Sequence, residues 1–268
     1  MAIVILNGRP HDLAYEPSVQ HGAKPTWRTP TEINGRMVHG VTINGYDYPP
    51  ADPNCVLYLP GLPGYGSTVW NKTSQGATND GAITGATWVR LPSGLWVLSF
   101  DGTDDVVSCG NDSSLNLTTG WTALMWALNT TVDGNDRGQF FKTGAYGLEW
   151  YSGVAYGYVY GTGGGAIGRS GAPAVWQNTW VFYAITYDGG TLSSGFKMYG
   201  NGIQFDSANN EFGVFTAAAT SANNLKFGDW DAQANFAGKI AMPQMVSGVM
   251  ATTQIANIYQ QERHLFGV

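Results

Sequence analysis

The segment WVFYAITYD, residues 180–188, alternates two sets of side chains, and this alternation decides the fold. Trp180, Phe182 and Ala184 fall on one side of an extended chain, whereas Val181 and Tyr183 fall on the other. Successive side chains of a β-strand point to opposite faces of a sheet. Because both sets contain aromatic residues, the pattern predicts a strand with the core on one face and loops or a partner on the other.

Apolar runs of this kind recur at short intervals from residue 55 onward, separated by turn-forming residues. The predicted strands lie near 55–59, 86–91, 95–100, 105–109, 122–129, 138–142, 146–151, 155–160, 180–187, 195–199, 203–205, 224–228 and 236–246. The segment TTQIANIYQQERHLF predicts one short helix near the C-terminus, which Thr252 or Thr253 can cap. No sequence repeat of fixed period is present, so propellers and solenoids are not supported.

The composition also favours an all-β protein. The chain has 268 residues with 37 Gly, 14 Tyr and 10 Trp, and charged residues make up only 12%. Aromatic residues favour strands and Gly favours tight turns, and the low charge argues against disorder. A sandwich or barrel of this length can form a single domain, so we expect one large domain with an appendage.

The composition changes near residue 54, and this change marks the appendage. Residues 1–53 contain seven of the 12 Pro and three of the four His, with short apolar runs separated by Asn-Gly pairs. A segment of this size with few apolar side chains cannot bury a core of its own. We therefore predict an N-terminal docking arm, residues 1–53, lying on its own sandwich or on neighbouring subunits, followed by a sandwich domain at 54–268.

Charge and hydropathy exclude several partners. The net charge is −6 with a pI near 5.0, so no basic surface is expected for nucleic acid. No run approaches the ~20 apolar residues of a membrane span. The apolar run at the start, in MAIVILNGRPHD, is shorter than the ~7 residues that the hydrophobic region of a signal peptide needs. Without a secretory route, Cys55 and Cys109 are expected to be buried thiols more often than a disulfide.

Eight segments, taken in order over residues 54–262, resemble the laminin G-like jelly roll of the concanavalin A-like lectin and glucanase superfamily. The segments are VLYLPG, GAITGATWVRLPSG, LSFDGTDDVVS, TALMWALNT, WVFYAITYDGG, FKMYGNGIQ, LKFGDW and FAGKIAMPQMVSGVMATTQIANIYQQ. The resemblance implies an all-β jelly roll of two antiparallel sheets with about a dozen strands in all. It also implies a short helix close to the C-terminus.

The segment LSFDGTDDVVS, residues 98–108, allows three interpretations. The resemblance implies a strand, a tight turn at Asp101–Gly102 and a second strand, with Phe100 in the core. Asp and Gly suit such a turn whether or not anything binds there. A calcium site or a catalytic cluster are the alternatives, with a purely structural turn favoured.

Calcium is the only cofactor that the resemblance suggests, because the family often binds one ion at the rim of the sandwich through Asp side chains. Asp101 and Asp104 are candidate ligands, and Asp229 and Asp231 are candidate substitutes elsewhere on the rim. The family pattern is altered at Ala241 and in YGNG, residues 199–202, which weakens a transferred site. No cofactor is the alternative.

Catalytic motifs are not found. A glycanase of this fold places paired acids on one strand, but each Glu of this sequence is isolated, and Glu149 has no acid two or four positions away. The segment GTGGGAIGRSG, residues 161–171, lacks the Lys of a phosphate-binding loop, and we predict a flexible loop there. We therefore expect no enzyme activity and no catalytic residues.

Exposed aromatic rings remain as candidates for carbohydrate binding, because sugars stack on Trp and Tyr side chains. The candidates are Trp150, Tyr151, Tyr156 and Trp230, with Tyr158 and Tyr160 beside them. Packing in a core or a subunit interface is the alternative for each of these rings.

The preferred hypothesis is a non-catalytic structural and binding module on the exterior of a larger assembly, such as a virus or phage particle. There it would serve in capsid decoration or host adhesion, as a homo-oligomer or beside other particle subunits, on a virion surface or outside the cell. The alternatives are a free lectin that binds cell-surface glycans, with or without calcium, and a divergent glycoside hydrolase. No nucleic acid or membrane partner is expected.

Overall fold

A computed structural model describes short strands within residues 3–48 and then residues 51–61, 64–131, 137–174, 176–229 and 235–268. The main body consists of two antiparallel sheets that face each other, as expected for an all-β jelly roll. Such sheets pack through the inward side chains of both layers.

The arm contains seven short strands, which pair only with each other in the part of the chain that the structure describes. Their bounds are β1 (Ile3–Leu6), β2 (Arg9–Asp12), β3 (Thr26–Trp27), β4 (Thr31–Ile33), β5 (Arg36–Val38), β6 (Val41–Ile43) and β7 (Tyr46–Tyr48). Tyr48 lies against the sandwich: its ring is buried, its hydroxyl is 2.6 Å from His264 Nε2, and its carbonyl accepts a hydrogen bond from Tyr58 Oη. The end of the arm therefore rests on its own sandwich.

The described residues of the sandwich form seventeen further strands and one α-helix. The strands are β8 (Cys55–Tyr58), β9 (Thr68–Val69), β10 (Gly81–Thr84), β11 (Thr87–Arg90), β12 (Trp96–Asp101), β13 (Val106–Ser108), β14 (Trp121–Asn129), β15 (Arg137–Lys142), β16 (Tyr146–Tyr151), β17 (Val154–Tyr160), β18 (Ala166–Gly171), β19 (Trp180–Tyr187), β20 (Phe196–Gly200), β21 (Ile203–Gln204), β22 (Asp206–Asn209), β23 (Leu225–Phe227) and β24 (Ala237–Val246). The nine-stranded sheet has the order β22-β18-β17-β16-β15-β23-β13-β10-β9. The eight-stranded sheet has the order β11-β12-β24-β14-β19-β20-β21, with β8 pairing to β24.

The core between the sheets is rich in aromatic rings. Trp121 is fully buried there and contacts Tyr146, Tyr187 and Phe196 with ring-centroid distances of 5.1, 6.2 and 6.1 Å. Tilted and edge-on contacts of this kind add to the free energy of burying the rings. Tyr146 comes from the nine-stranded sheet and the other three rings from the eight-stranded sheet, so the cluster joins the two layers.

The alternation in β19 is confirmed. Val181 and Tyr183 face the core between the sheets, whereas Trp180 and Phe182 face a second apolar layer on the outside of the eight-stranded sheet. Helix α1 (Thr252–Glu262) and the residues after it supply that layer. The predicted loops or partner on this face are thus the chain's own C-terminal segment.

The helix begins one residue earlier than the capping prediction placed it. Ala251 is the N-cap, and its backbone N–H donates to Gln254 Oε1 at 2.8 Å. Thr252 is the first helical residue, and its hydroxyl lies 3.1 Å from Tyr199 Oη. Of the helices in the described ranges, none has both the length and the hydropathy to cross a bilayer.

Two further expectations have clear outcomes. Cys55 and Cys109 are buried free thiols and form no disulfide, and burial raises the pKa of both thiols well above the ordinary value. The prediction of a flexible loop at 161–171 is wrong, because Ala166–Gly171 forms strand β18 inside the nine-stranded sheet. A Cβ on Gly168 would lie 1.9 Å from Gly157 O, so this Gly permits close strand packing and does not signal flexibility.

Candidate functional site

The outer face of the nine-stranded sheet carries a group of tyrosines on β17. In β16, Leu148 and Trp150 point into the core, so Glu149 points outward. In β17, Ala155 and Val159 point into the core, so Tyr156, Tyr158 and Tyr160 point outward. Glu149 pairs with Tyr156 across the two strands, which places the carboxylate beside the tyrosine row.

These side chains line an open groove of about 300 Å³. This volume is at the lower end of the range for small-molecule sites, about 300–1,000 Å³. The lining residues are Glu149, Tyr151, Tyr156, Tyr158, Tyr160, Asn210 and Phe212. We call this cavity the tyrosine groove.

The tyrosine groove has a buried floor and an open rim. Glu149 and Tyr158 are 7% and 4% exposed and form the floor. Tyr156 is half-buried, and Tyr151 and Phe212 are 43% and 49% exposed at the rim. The groove therefore offers aromatic faces to solvent above a polar base.

Ring contacts hold the floor in place. Tyr158 and Tyr160 meet edge to face with centroids 5.4 Å apart, and Phe141 meets Tyr158 edge to face at 6.1 Å. Tyr160 in turn contacts Phe212 at 5.8 Å. Because each ring is restrained by a neighbour, little rotamer freedom remains to be lost on ligand binding.

The segment 210–218 forms one wall of the groove. Phe212 exchanges two backbone hydrogen bonds with Ala166, at 2.8 and 3.1 Å, and Gly165 N donates to Val214 O. A Cβ on Gly163 would lie 2.3 Å from Val214 O, so the wall can approach only because Gly stands there. The Gly-rich stretch 161–171, which the sequence predicted to be a flexible loop, thus binds the segment that forms this wall of the groove.

The groove is negative in character. Glu149 is the only carboxylate among the described lining residues, and these include neither Lys nor Arg. Burial raises the pKa of Tyr160, and the nearby charge of Glu149 raises it further, although a hydrogen bond with Tyr158 opposes the shift.

The structure tests the position of each predicted sugar-binding ring. Tyr151 and Tyr156 do lie in the groove. Trp150 does not, because it is 6% exposed and stacks on Trp176 at 4.4 Å, so its ring has no open face for a sugar. Trp230 lies outside the described residues.

Three carboxylates meet at the turn after β12. The side chains of Asp101, Asp104 and Asp105 have oxygens within 4.8 Å of one another, and Asp105, which the metal prediction omitted, is buried. Asp105 Oδ2 accepts Asp101 N at 2.7 Å, and Asp101 Oδ1 accepts Thr103 N at 2.7 Å. Burial raises the pKa of Asp105, although the hydrogen bond from Asp101 N opposes the shift.

The Asp side chains of this turn thus accept hydrogen bonds from the backbone N–H groups of the same turn and stabilise it. Phe100 lies in the core and Gly102 has φ +86°, as the prediction of a tight turn requires. Of the other predicted metal ligands, Asp229 is not part of this group and pairs with Lys226 Nζ at 2.8 Å, and Asp231 lies outside the described residues. Calcium binding at this turn stays a prediction.

A family model described as "Concanavalin A-like lectin/glucanases superfamily" matches residues 101–256. No curated protein matches the sequence.

Solved structures are similar in fold at low sequence identity. The binding domain of Paraclostridial Mosquitocidal Protein 1 has a TM-score of 0.60 at 10% identity, over 77% of this chain and 52% of that one. Trypanosoma rangeli sialidase has a TM-score of 0.58 at 10% identity, over 91% and 46%. A botulinum neurotoxin serotype D ligand binding domain in complex with N-acetylneuraminic acid has a TM-score of 0.54 at 13% identity, over 78% and 51%.

The chain thus spans about half the length of the solved structures that it matches, and at these identities the likeness concerns the fold. The family match covers more than half of the chain and includes most of both sheets. The two-sheet architecture and this match together assign the chain to a family: it belongs to the concanavalin A-like lectin/glucanases superfamily.

Proposed function

We propose that this protein is a carbohydrate-binding module and that the tyrosine groove is its binding site. The observation that carries the proposal is the meeting of four Tyr, Phe212, Asn210 and Glu149 in one open cavity on the outer face of the nine-stranded sheet. Aromatic faces bind the C–H surfaces of a pyranose, and carboxylate and amide groups bind its hydroxyls. The groove combines both kinds of group.

The exposure of the rim supports this proposal. Tyr151 and Phe212 leave nearly half of their surface in water, although apolar side chains of this size are more often covered. A ligand that stacks on them would remove this surface from water. The buried floor of Tyr158 and Glu149 would then orient the ligand through hydrogen bonds.

Similar folds in binding proteins are consistent with the proposal. One neighbour in fold is a toxin ligand binding domain in complex with N-acetylneuraminic acid, and another is the binding domain of a mosquitocidal protein. The superfamily description itself names lectins.

We propose further that the module is non-catalytic. Glycoside hydrolysis requires two carboxyl groups, about 5 to 5.5 Å apart for retention of configuration and further apart for inversion. Among the described residues that line the groove, Glu149 has no second carboxylate beside it. Incubation with the bound glycan should leave it intact, and release of reducing ends by the unaltered protein would contradict this part of the proposal.

A glycan array tests the binding role. We expect selective binding by the unaltered protein and about ten-fold weaker binding by Tyr156→Ala, which removes a groove wall and corresponds to about 1.4 kcal/mol. Tyr65→Ala is the matched control, because Tyr65 is 42% exposed and does not line the groove. Silence across the array, or equal loss in both variants, would contradict the proposed site.

Calcium dependence can be tested on the same array with a chelator. The groove contains a single carboxylate among its described lining residues, so we expect glycan binding there to persist without calcium. Loss of binding on chelation, restored by calcium and abolished in Asp101→Asn, would instead connect the acidic turn to the ligand.

A role on the exterior of a particle is a second proposal. It is supported by the described strands of the arm, which pair with each other and do not pair with the two sheets of the sandwich. Such hairpins need another surface for stability. Deleting residues 1–45 keeps Tyr48, which packs on the sandwich, and should abolish incorporation into particles or homo-oligomers while glycan binding persists. Undiminished assembly would refute the docking role.

A further inference from the structure

The tyrosine groove is closed at one of its ends by two rings. Tyr160 and Phe212 both line the groove, and their ring centroids lie 5.8 Å apart in an edge-to-face contact. Ala166 lies between them in the sheet, because it pairs with Tyr160 on one side and with Phe212 on the other. Their backbones are two strand spacings apart, about 10 Å, so the two rings lean towards each other above a small side chain. The groove is therefore blocked at this level.

The wall at the closed end is fixed by its backbone and by the core. Ala219 N donates a hydrogen bond to Tyr160 O at 2.9 Å, so the chain beyond the wall is tied to the end of β17. Phe215 packs against the core between the sheets, and a Cβ on Gly161 would lie 2.6 Å from its ring. Moving this wall aside would break backbone hydrogen bonds and expose Phe215, which costs free energy.

The groove is wider one level further along the strands. Here Gly168 lies between Tyr158 and Asn210: it pairs with Tyr158 in the sheet, and its carbonyl accepts a hydrogen bond from Asn210 N at 3.0 Å. A Gly has no side chain to fill the space between its neighbours. The groove thus offers an aromatic ring and an amide on opposite sides of this space, about 7 Å from the level of the closed end.

The opposite end of the groove opens to solvent. Tyr151 is the last residue of β16 and is 43% exposed, and Ser152 in the turn that follows is exposed as well. Tyr156, on the neighbouring strand, is half-buried. A ligand that enters the groove can therefore extend out of it past Tyr151, but it cannot extend past the two rings at the closed end.

We propose, resting on the carbohydrate-binding function above, that the tyrosine groove binds the non-reducing terminal unit of a glycan and that Phe212 determines this specificity. The terminal unit lies between Tyr158 and Asn210, with its free end against the Tyr160–Phe212 contact. The next units of the chain leave the groove past Tyr151. A unit inside a chain is excluded, because its neighbour on the far side would have to pass through the closed end.

A glycan array with defined chain ends tests the proposal, since arrayed glycans are attached through their reducing end. It carries chains of glucose, galactose, mannose, N-acetylglucosamine and N-acetylgalactosamine, each with two and with six units. Every chain is also printed with its terminal unit capped by a sugar whose own chains give no signal. The unaltered protein should bind the short and the long chain within about two-fold of each other, and capping should weaken binding at least about ten-fold.

Phe212→Ala removes the ring that closes the groove but keeps the backbone hydrogen bonds of the wall. In this variant capped and uncapped chains should bind within about three-fold of each other. Val214→Ala is the matched control, because Val214 belongs to the same wall, is 69% exposed and is not among the described lining residues. This control should reject capped chains as the unaltered protein does. If Phe212→Ala binds neither chain, Phe212→Leu, which keeps an apolar wall without the ring contact, gives the same comparison.

The outcomes separate this inference from the proposed function. Equal binding of capped and uncapped chains by the unaltered protein would overturn terminal recognition and leave a glycan-binding groove. Rejection of capped chains by Phe212→Ala, or loss of all binding in both Phe212 variants, would overturn the role of Phe212 in specificity. Silence of the unaltered protein across the array would overturn the proposed function as well.

Discussion

The outer faces of the two sheets are built from similar side chains but are covered differently. On the eight-stranded sheet, Trp126 stacks on Phe266 with centroids 4.1 Å apart, beneath the C-terminal segment. On the nine-stranded sheet, Tyr156 and Tyr160 remain partly open, and segment 210–218 covers only one side. An aromatic strand face becomes a second core where the chain returns over it and a groove where the chain does not.

Each of these faces also contains a buried glutamate. Glu262 of α1 is 4% exposed and accepts a hydrogen bond from Trp126 Nε1 at 2.7 Å. Glu149 is 7% exposed at the base of the tyrosine groove. The first accepts its hydrogen bond within the second core, whereas the second lines the open groove where we propose that a glycan binds.

The largest expected effect is the loss of the covered face. Trp126→Ala removes the stacking on Phe266 and leaves Glu262 without its indole donor. We expect the free energy of unfolding to fall by about 3 to 5 kcal/mol, the usual cost of truncating a buried aromatic residue. Urea unfolding measures it. A loss of less than about 1 kcal/mol would show that the C-terminal cover contributes little.

The second prediction concerns the pH dependence of the covered face. Burial raises the pKa of Glu262 from 4.5 to about 7 in the folded protein, and the hydrogen bond from Trp126 only partly opposes this. Between these two values the folded state binds a proton that the unfolded state lacks, so stability rises as the pH falls from about 7 towards 4.5. The shift corresponds to about 3 kcal/mol.

Glu262→Gln isolates this contribution, because Gln retains an oxygen that can accept the Trp126 hydrogen bond. Urea unfolding at several pH values should show that the variant lacks the rise between pH 7 and 4.5 that the unaltered protein has. The difference between the two profiles removes the contribution of other titrating groups such as Asp105. Parallel profiles would mean that Glu262 titrates normally.

The smallest expected effect lies on the open face. Tyr151→Ala removes a side chain that is 43% exposed at the groove rim. We expect the free energy of unfolding to change by less than about 0.5 kcal/mol, as for most surface substitutions, while glycan affinity falls several-fold. Thermal unfolding and the glycan array measure the two quantities. A stability loss equal to that of Trp126→Ala would remove the distinction between the two faces.

Much of the fold was predictable because its signals are local. Alternation in WVFYAITYD, the tight turn at Asp101–Gly102 and the C-terminal helix depend on neighbouring residues, and the structure confirms all three. Short strands such as β9 and β22, with two and four residues, were missed, because segments of this length carry almost no periodic signal.

The position of the candidate site was predictable only in part. Tyr151 and Tyr156, predicted to bind carbohydrate, line the groove, whereas Trp150, predicted with them, faces the core. The alternation separates Trp150 from Tyr151 and does not tell which of the two sides is buried. Phe212 and Asn210 gave no signal, because they reach the groove through backbone pairing with β18, far away in the sequence.

The sequence alone determined that this protein is an all-β sandwich with aromatic residues on both faces of its strands, since period-two alternation and turn chemistry act over a few residues. The tertiary structure alone decided which aromatic face is sealed and which is open. That choice depends on where the C-terminal segment and residues 210–218 lie, and contacts between distant segments follow from burying apolar surface across the whole fold.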